Sequence, residues 1–156
     1  MMYEDVVAEF AWRTHENLHA IELAAGQGPG VFETTQLINS MLGLLVFPRE
    51  EFVDRIPRTP LADLRKQGWP LPRVRPGFAQ ARDLAELVRY LRNAISHFNI
   101  EFQGDSQNRI SGIRVWNMRR RDKTWEADLR LDELRGIAER FTQVLVENSN
   151  FRPGAF

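Results

Sequence analysis

The sequence predicts a mainly α-helical protein, with four principal helices and one β-hairpin placed before the last of them. Three observations carry that expectation. Apolar residues recur at steps of three and four over four long stretches, the mark of helices with one buried stripe. The period changes to strict alternation over Trp125 to Leu131, the mark of a half-buried strand. Six of the eight prolines fall between Pro48 and Gly77, which separates the helical stretches by a stiff, loop-like segment. At 156 residues the chain is long enough for a substantial hydrophobic core, and it reads as one domain over residues 1–150 with a short tail over 151–156.

The first helix is expected from about Tyr3 to Ala25, with Val7, Phe10, Thr14, Leu18 and Ile21 on one stripe and Gly26 to Gly30 ending it. His15, His19 and Glu22 share a face of that helix. The spacing suits a metal ligand set in principle, but no HExxH pattern accompanies it, and a solvated face is the plainer reading. The second helix is expected from about Phe32 to Phe47. Apolar residues surround it after Leu37, so it should be central and buried, and Pro48 stops it. Its Gln36 and Asn39 would then be core polar groups with satisfied partners.

Between Pro48 and Gly77 a short helix is expected around Leu61 to Gln67, with extended chain elsewhere. Seven basic residues lie in this segment, from Arg49 to Arg75. They could line a path for a phosphate polymer, with Trp69 free to stack a base, or they could be solvated while Trp69 pins the loop to the core. The third principal helix covers Asp83 to Phe98. Leu84, Leu87, Val88, Leu91, Ala94, Ile95 and Phe98 form its apolar stripe, and Glu86, Arg89, Asn93, Ser96 and His97 its polar face. Helix is expected to fray before Gly104. Ile110 to Met118 and Trp125 to Leu131 form the hairpin around a basic turn at Arg119 to Lys123. Asp132 caps the last helix, whose stripe runs from Leu134 to Leu145, and Asn148 to Asn150 end it.

Composition narrows the function classes. There are no cysteines, so disulfides and thiolate metal sites are excluded. The acidic start, MMYEDVVAEF, does not read as a signal peptide, and the longest apolar run, Met41 to Phe47, is too short for a bilayer. A cytoplasmic protein without membrane contact is expected. Net charge is zero but uneven: residues 1–47 carry −5, residues 48–121 carry +7 and residues 122–156 carry −2. The basic middle can steer a phosphate polymer, while the balanced total argues against tight, indiscriminate nucleic-acid binding.

The richest chemistry lies at Arg92 to His97, within that basic middle. A histidine can give or take a proton near neutral pH. The planar guanidinium of Arg92 suits a phosphate. Asn93 stands one turn before His97, where an amide can orient the imidazole or a substrate oxygen. A proton carrier, a phosphate clamp and an orienting amide suffice to cleave a phosphodiester without a metal. Arg89, one turn earlier, could bind a neighbouring phosphate. Arg92 and His97, five residues apart, stand roughly 140° apart around one straight helix. They converge only if the helix distorts or if a two-fold partner supplies the second half of the site.

This stretch resembles the HEPN superfamily (higher eukaryotes and prokaryotes nucleotide-binding), whose active members carry Arg, a polar residue, three further residues and His. Arg92, Asn93 and His97 match that motif. The chain is similar to a small prokaryotic, plasmid-associated branch of the superfamily across Val31 to Asn39, Gly43 to Pro48 and Leu91 to Asn99. The resemblance implies a HEPN-like helical bundle and a metal-independent endoribonuclease needing no cofactor. It implies Arg92, Asn93 and His97 as catalytic residues, RNA as substrate, and a homodimer through the motif helix. It also implies a toxin or defence effector, with an antitoxin or regulatory protein as partner. A non-catalytic module that binds RNA, a nucleotide or a protein is the rival reading. Where one toxin subgroup carries a modifiable Tyr two residues after the His, this chain has Asn99, so that mode of control is not implied.

Overall fold

The computed structural model describes residues 3–28, 30, 32–46 and 55–152. They form five helices: α1 (Tyr3–Ala25), α2 (Glu33–Val46), α3 (Leu61–Lys66), α4 (Leu84–Ser96) and α5 (Leu131–Glu147). Four strands accompany them: β1 (Arg73–Val74), β2 (Ile100–Gly104), β3 (Ile110–Arg119) and β4 (Asp122–Arg130). The chain divides into two compact units, one of residues 1–52 with 138–156, the other of residues 53–137. No helix among the described residues is long and apolar enough to cross a membrane.

In the first unit α1 packs on α2. The buried positions of α1 are Val7, Ala8, Ala11 and Leu18. Its contact stripe is therefore built partly on alanine, which lets helices approach closely, and Phe10 lies at the edge, 37% exposed. In α2 the buried residues are Leu37, Ser40, Met41, Leu44 and Leu45. Asn39 is exposed and Gln36 half-buried, so the expectation of core amides is corrected: the buried face of α2 includes Ser40 instead. The expected stop at Pro48 lies outside the described residues. The chain after α5 is tied down: the Asn150 N–H donates to the Asp5 carboxylate (3.1 Å), and the Phe151 ring meets Trp12 at 6.0 Å. Phe151 is buried, contrary to the loose tail expected from Phe151 onward.

The second unit holds an antiparallel sheet in the order β1-β4-β3-β2. The expected hairpin is its centre, β3 and β4, joined through Arg120 and Arg121. Two flanking strands were not anticipated. β1 is cut from the proline-rich segment, where Arg73 and Val74 pair with Asp128 and Ala127. β2 replaces the expected helical fray: α4 stops at His97, Phe98 takes a left-handed φ of 54°, and Ile100 opens a strand paired to Val115. Such a φ is uncommon for a bulky residue, and it turns the Phe98 ring outward, 67% exposed, rather than along the apolar stripe. Gly112 permits close pairing at the end of the hairpin, since a Cβ there would stand 2.6 Å from the Leu129 carbonyl oxygen.

One face of the sheet carries Ile113, Val115, Trp125, Ala127 and Leu129, all buried. α4 packs on β3, with Leu84, Leu87, Val88, Leu91, Ala94 and Ile95 buried along it. Periodicities of about 3.6 and 2 thus meet on one apolar layer. Trp69 is buried at 8% exposure, so it anchors its loop and does not offer a stacking face.

Candidate active site

The polar residues of α4 separate into two groups. At its start Asp83 is the N-cap and accepts from the Glu86 N–H (2.9 Å). The Glu86 side chain, placed on the solvated face by its spacing, is instead buried at 9% exposure. It accepts from the Arg82 backbone N–H (2.8 Å), from the Arg82 guanidinium (3.2 Å) and from Arg89 (3.1 Å). Burial pushes its carboxyl up, but those hydrogen bonds and the two guanidinium charges outweigh it and hold the group below the usual carboxylate range. Arg89 therefore already has a carboxylate partner, and it also lies over the Tyr90 ring at 5.9 Å.

At its end the helix carries Arg92, Asn93 and His97. Asn93 and His97 are exposed and Arg92 is half-buried. None of the three side chains has a hydrogen-bond or ion-pair partner among the described residues. His97 is the C-cap, and its backbone N–H bonds the Asn93 carbonyl (3.2 Å), which places the two side chains one turn apart.

Below them lies an open pocket of about 510 Å³. Tyr90, Asn93 and His97 from α4, with Asn99 just after it, form one wall. Asn117, Met118 and Thr124 of the hairpin form the other. No Arg, Lys, Asp or Glu among the described residues lines it. Burial and the nearby Glu86 carboxylate, with which the hydroxyl hydrogen-bonds, push the Tyr90 phenol up. The structure thus brings Asn93 and His97 to one pocket. Arg92 stands outside it, as its angular separation from His97 on one helix requires, and Arg89, though on the same face as Asn93, is held by Glu86 and does not line it.

Asn117 was missed by sequence reading, and Asn99 was noted there only as the residue standing where a toxin subgroup carries Tyr. Asn117 is 7% exposed, and its Oδ1 is buried without a partner. Leaving such an acceptor unpaired costs about 1–3 kcal/mol. Its parity was a usable signal: Ile113, Val115 and Asn117 share one face of β3, so a polar residue interrupts a buried apolar row. The pairing register also shifts between Asn117 and Met118, the kind of irregularity that re-aims side chains.

The basic loop and the hairpin tip are less open than their composition suggests. Arg73 Nη1 donates to both Glu133 carboxylate oxygens (2.6 and 2.8 Å), and Arg75 stands 3.8 Å from Asp128. Lys123 pairs with Glu126 and lies 4.9 Å from the Trp116 ring centre. Arg119, Arg120 and Arg121 are exposed, and Arg49 lies outside the described residues.

A family model described as HEPN pEK499 p136 matches residues 1–151. The chain belongs to this HEPN family. The match covers both units and the whole Arg92–His97 motif, and it supports the plasmid-associated branch. Membership of the HEPN family points to a nucleotide-binding or ribonuclease-like module. No curated protein and no solved structure matches the chain. In this HEPN chain the position two residues after the motif His is Asn99, which lines the pocket.

Proposed function

We propose that this HEPN protein is a metal-independent endoribonuclease that acts as a homodimer in the cytoplasm, as a toxin or defence effector. The observation that carries the proposal is the pairing of Asn93 and His97, exposed and unpartnered, at the mouth of a pocket on the helix that also presents an unpartnered Arg92. Family membership and the helical setting of the motif support the same reading.

In the proposed reaction the RNA 2′-oxygen attacks the adjacent phosphorus, and the bond from phosphorus to the 5′-oxygen breaks. His97 moves a proton, either from the attacking hydroxyl or to the leaving oxygen. Arg92 stabilises the charge that grows on the phosphorane, and Asn93 orients the imidazole or the phosphate. The products are a 2′,3′-cyclic phosphate and a 5′-hydroxyl. Arg89 gives up part of its bond to Glu86 if it contacts a neighbouring phosphate. Because Arg92 stands outside the pocket that His97 lines, the complete site takes Arg92 from one protomer and His97 from the other, through motif helices facing each other in a dimer of HEPN-like bundles.

The test is RNA cleavage in EDTA with end-group analysis. His97→Ala should lower the rate by about 10²–10⁴, and Arg92→Ala by about 10²–10³. Mixing the two inactive proteins should restore cleavage, because one of the two composite sites in a mixed dimer is intact. Unchanged cleavage by His97→Ala refutes the reading. A second reading, a non-catalytic nucleotide- or RNA-binding module, is favoured by a pocket wall that holds no Arg or Lys among the described residues. It predicts binding that survives His97→Ala, with no products at any protein concentration.

A further inference from the structure

We infer that the pocket beside His97 is a nucleobase subsite and that Asn117 is its specificity-determining residue. The inference deepens the ribonuclease reading and rests on it only for naming RNA as the polymer.

The lining decides the ligand class. Asn93, Asn99 and Asn117 supply carboxamides, Thr124 a hydroxyl that also reaches the Asn117 backbone carbonyl (3.4 Å), Tyr90 its ring, and no lining side chain among the described residues carries a fixed charge. A phosphate would find no cation there. A neutral base finds what its edge requires, because a carboxamide places one donor and one acceptor side by side, the arrangement that pairs bidentately with a base edge. The pocket volume of about 510 Å³ falls within the usual range of small-molecule sites. Its apolar surfaces come from Tyr90, whose ring is braced by Trp125 at 5.2 Å, and from Met118, 42% exposed at the rim. These are faces on which a planar base can lie.

Asn117 is the independent observation. It is a polar residue on the buried row of β3, beside the register shift and without a partner for Oδ1. A leucine would continue the Ile113 and Val115 row with no orphaned atom. A bound base supplies the N–H that this acceptor lacks, with a small rotation of the amide toward the opening. The competing partner inside the protein is Trp125, directly across the ladder, whose indole N–H is also buried and unpaired. The two groups are complementary but not bonded to each other. A structural role for Asn117 would act through that indole, and this makes Trp125→Phe the discriminating control.

The experiment is calorimetric titration of the full chain with the four ribonucleoside 3′-monophosphates and with ribose 5-phosphate, which has no base. At least one nucleotide should bind about ten-fold more tightly than ribose 5-phosphate, the size expected for one good bidentate contact. Asn117→Leu should lose that advantage. Asn117→Asp, nearly the same size and lacking the amide donor, should change the order of preference among the bases, and it decides the matter if Asn117→Leu fails to fold. Trp125→Phe should keep the wild-type preference. Equal binding of nucleotides and ribose 5-phosphate overturns the inference, as does wild-type behaviour of both Asn117 variants or a loss in Trp125→Phe equal to that in Asn117→Leu. Base-dependent binding without any RNA cleavage would sink the ribonuclease reading and leave this subsite standing. Cleavage without base-dependent binding would do the reverse.

Discussion

The two ends of helix α4 are built from similar residue types and do opposite things. At the N-terminal end every charge is answered: Asp83 caps the helix, and Glu86 is buried under three kinds of N–H donor from Arg82 and Arg89. At the C-terminal end Arg92, Asn93 and His97 have no partner among the described residues, and the pocket beside them holds another unpaired amide at Asn117. The difference separates architecture from chemistry. A buried charge persists only when it is fully paired, so a satisfied cluster reports on stability. A group meant to meet a ligand must leave its hydrogen-bonding capacity open, at some cost to the fold.

That contrast can be broken by substitution. The largest effect is expected at the open end and in activity alone: His97→Ala should lose cleavage by about 10²–10⁴ while its unfolding midpoint in urea stays close to wild type, within about 0.5 kcal/mol. A large loss of stability there would show that the open end is structural after all. Glu86→Ala should do the reverse, costing about 2 kcal/mol in denaturant unfolding, because the Arg82 backbone N–H and the Arg82 and Arg89 guanidiniums lose their shared acceptor.

The paired end also sets an acid limit. The Glu86 carboxyl is held below its ordinary range, as is Asp128, whose burial is outweighed by hydrogen bonds from Arg114 (2.8 Å) and Gln103 (3.0 Å). For a depressed carboxyl the stabilisation is complete above the unfolded-chain value, about 4.3 for Glu and 3.9 for Asp. It is lost as pH falls through the lower folded-state value. Unfolding free energy should therefore decline below about pH 4, and Glu86→Gln should flatten part of that decline. A parallel pH profile in wild type and variant would show that Glu86 is not linked.

Smaller effects sharpen the boundary between the two ends. Asp83→Ala removes the cap and should lower stability by about 1 kcal/mol. Phe98→Asn should raise it by about 0.5 kcal/mol, since Asn tolerates the left-handed backbone better and the exposed ring buries little. A fall in the melting temperature of Phe98→Asn would mean that the ring makes a contact in solution.

Much of this was legible in the chain, element by element. α1, α3 and α4 lie where apolar spacing and Gly or Pro breaks put them, because a one-dimensional period is enough to mark which face of a helix is buried. The hairpin was legible for the same reason, from alternation on either side of a basic turn. β1 and β2 were not, because two residues such as Arg73 and Val74 become a strand only when Asp128 and Ala127 stand beside them. Glu86 was misplaced because its spacing matches the solvated face, and only Arg82 and Arg89 folding over it bury it.

The sequence by itself determined the motif, its helix and the order of residues along it, since those follow from local spacing. It also determined that Arg92 and His97 point to different sides of that helix, which is simple helical geometry. The tertiary structure alone decided which polar groups are spent on each other and which stay open. Pairing is settled across elements distant in the chain, as when Asn117 of β3 comes to lie in the same pocket as His97. No periodicity records that meeting, because it depends on how α4 and the hairpin pack.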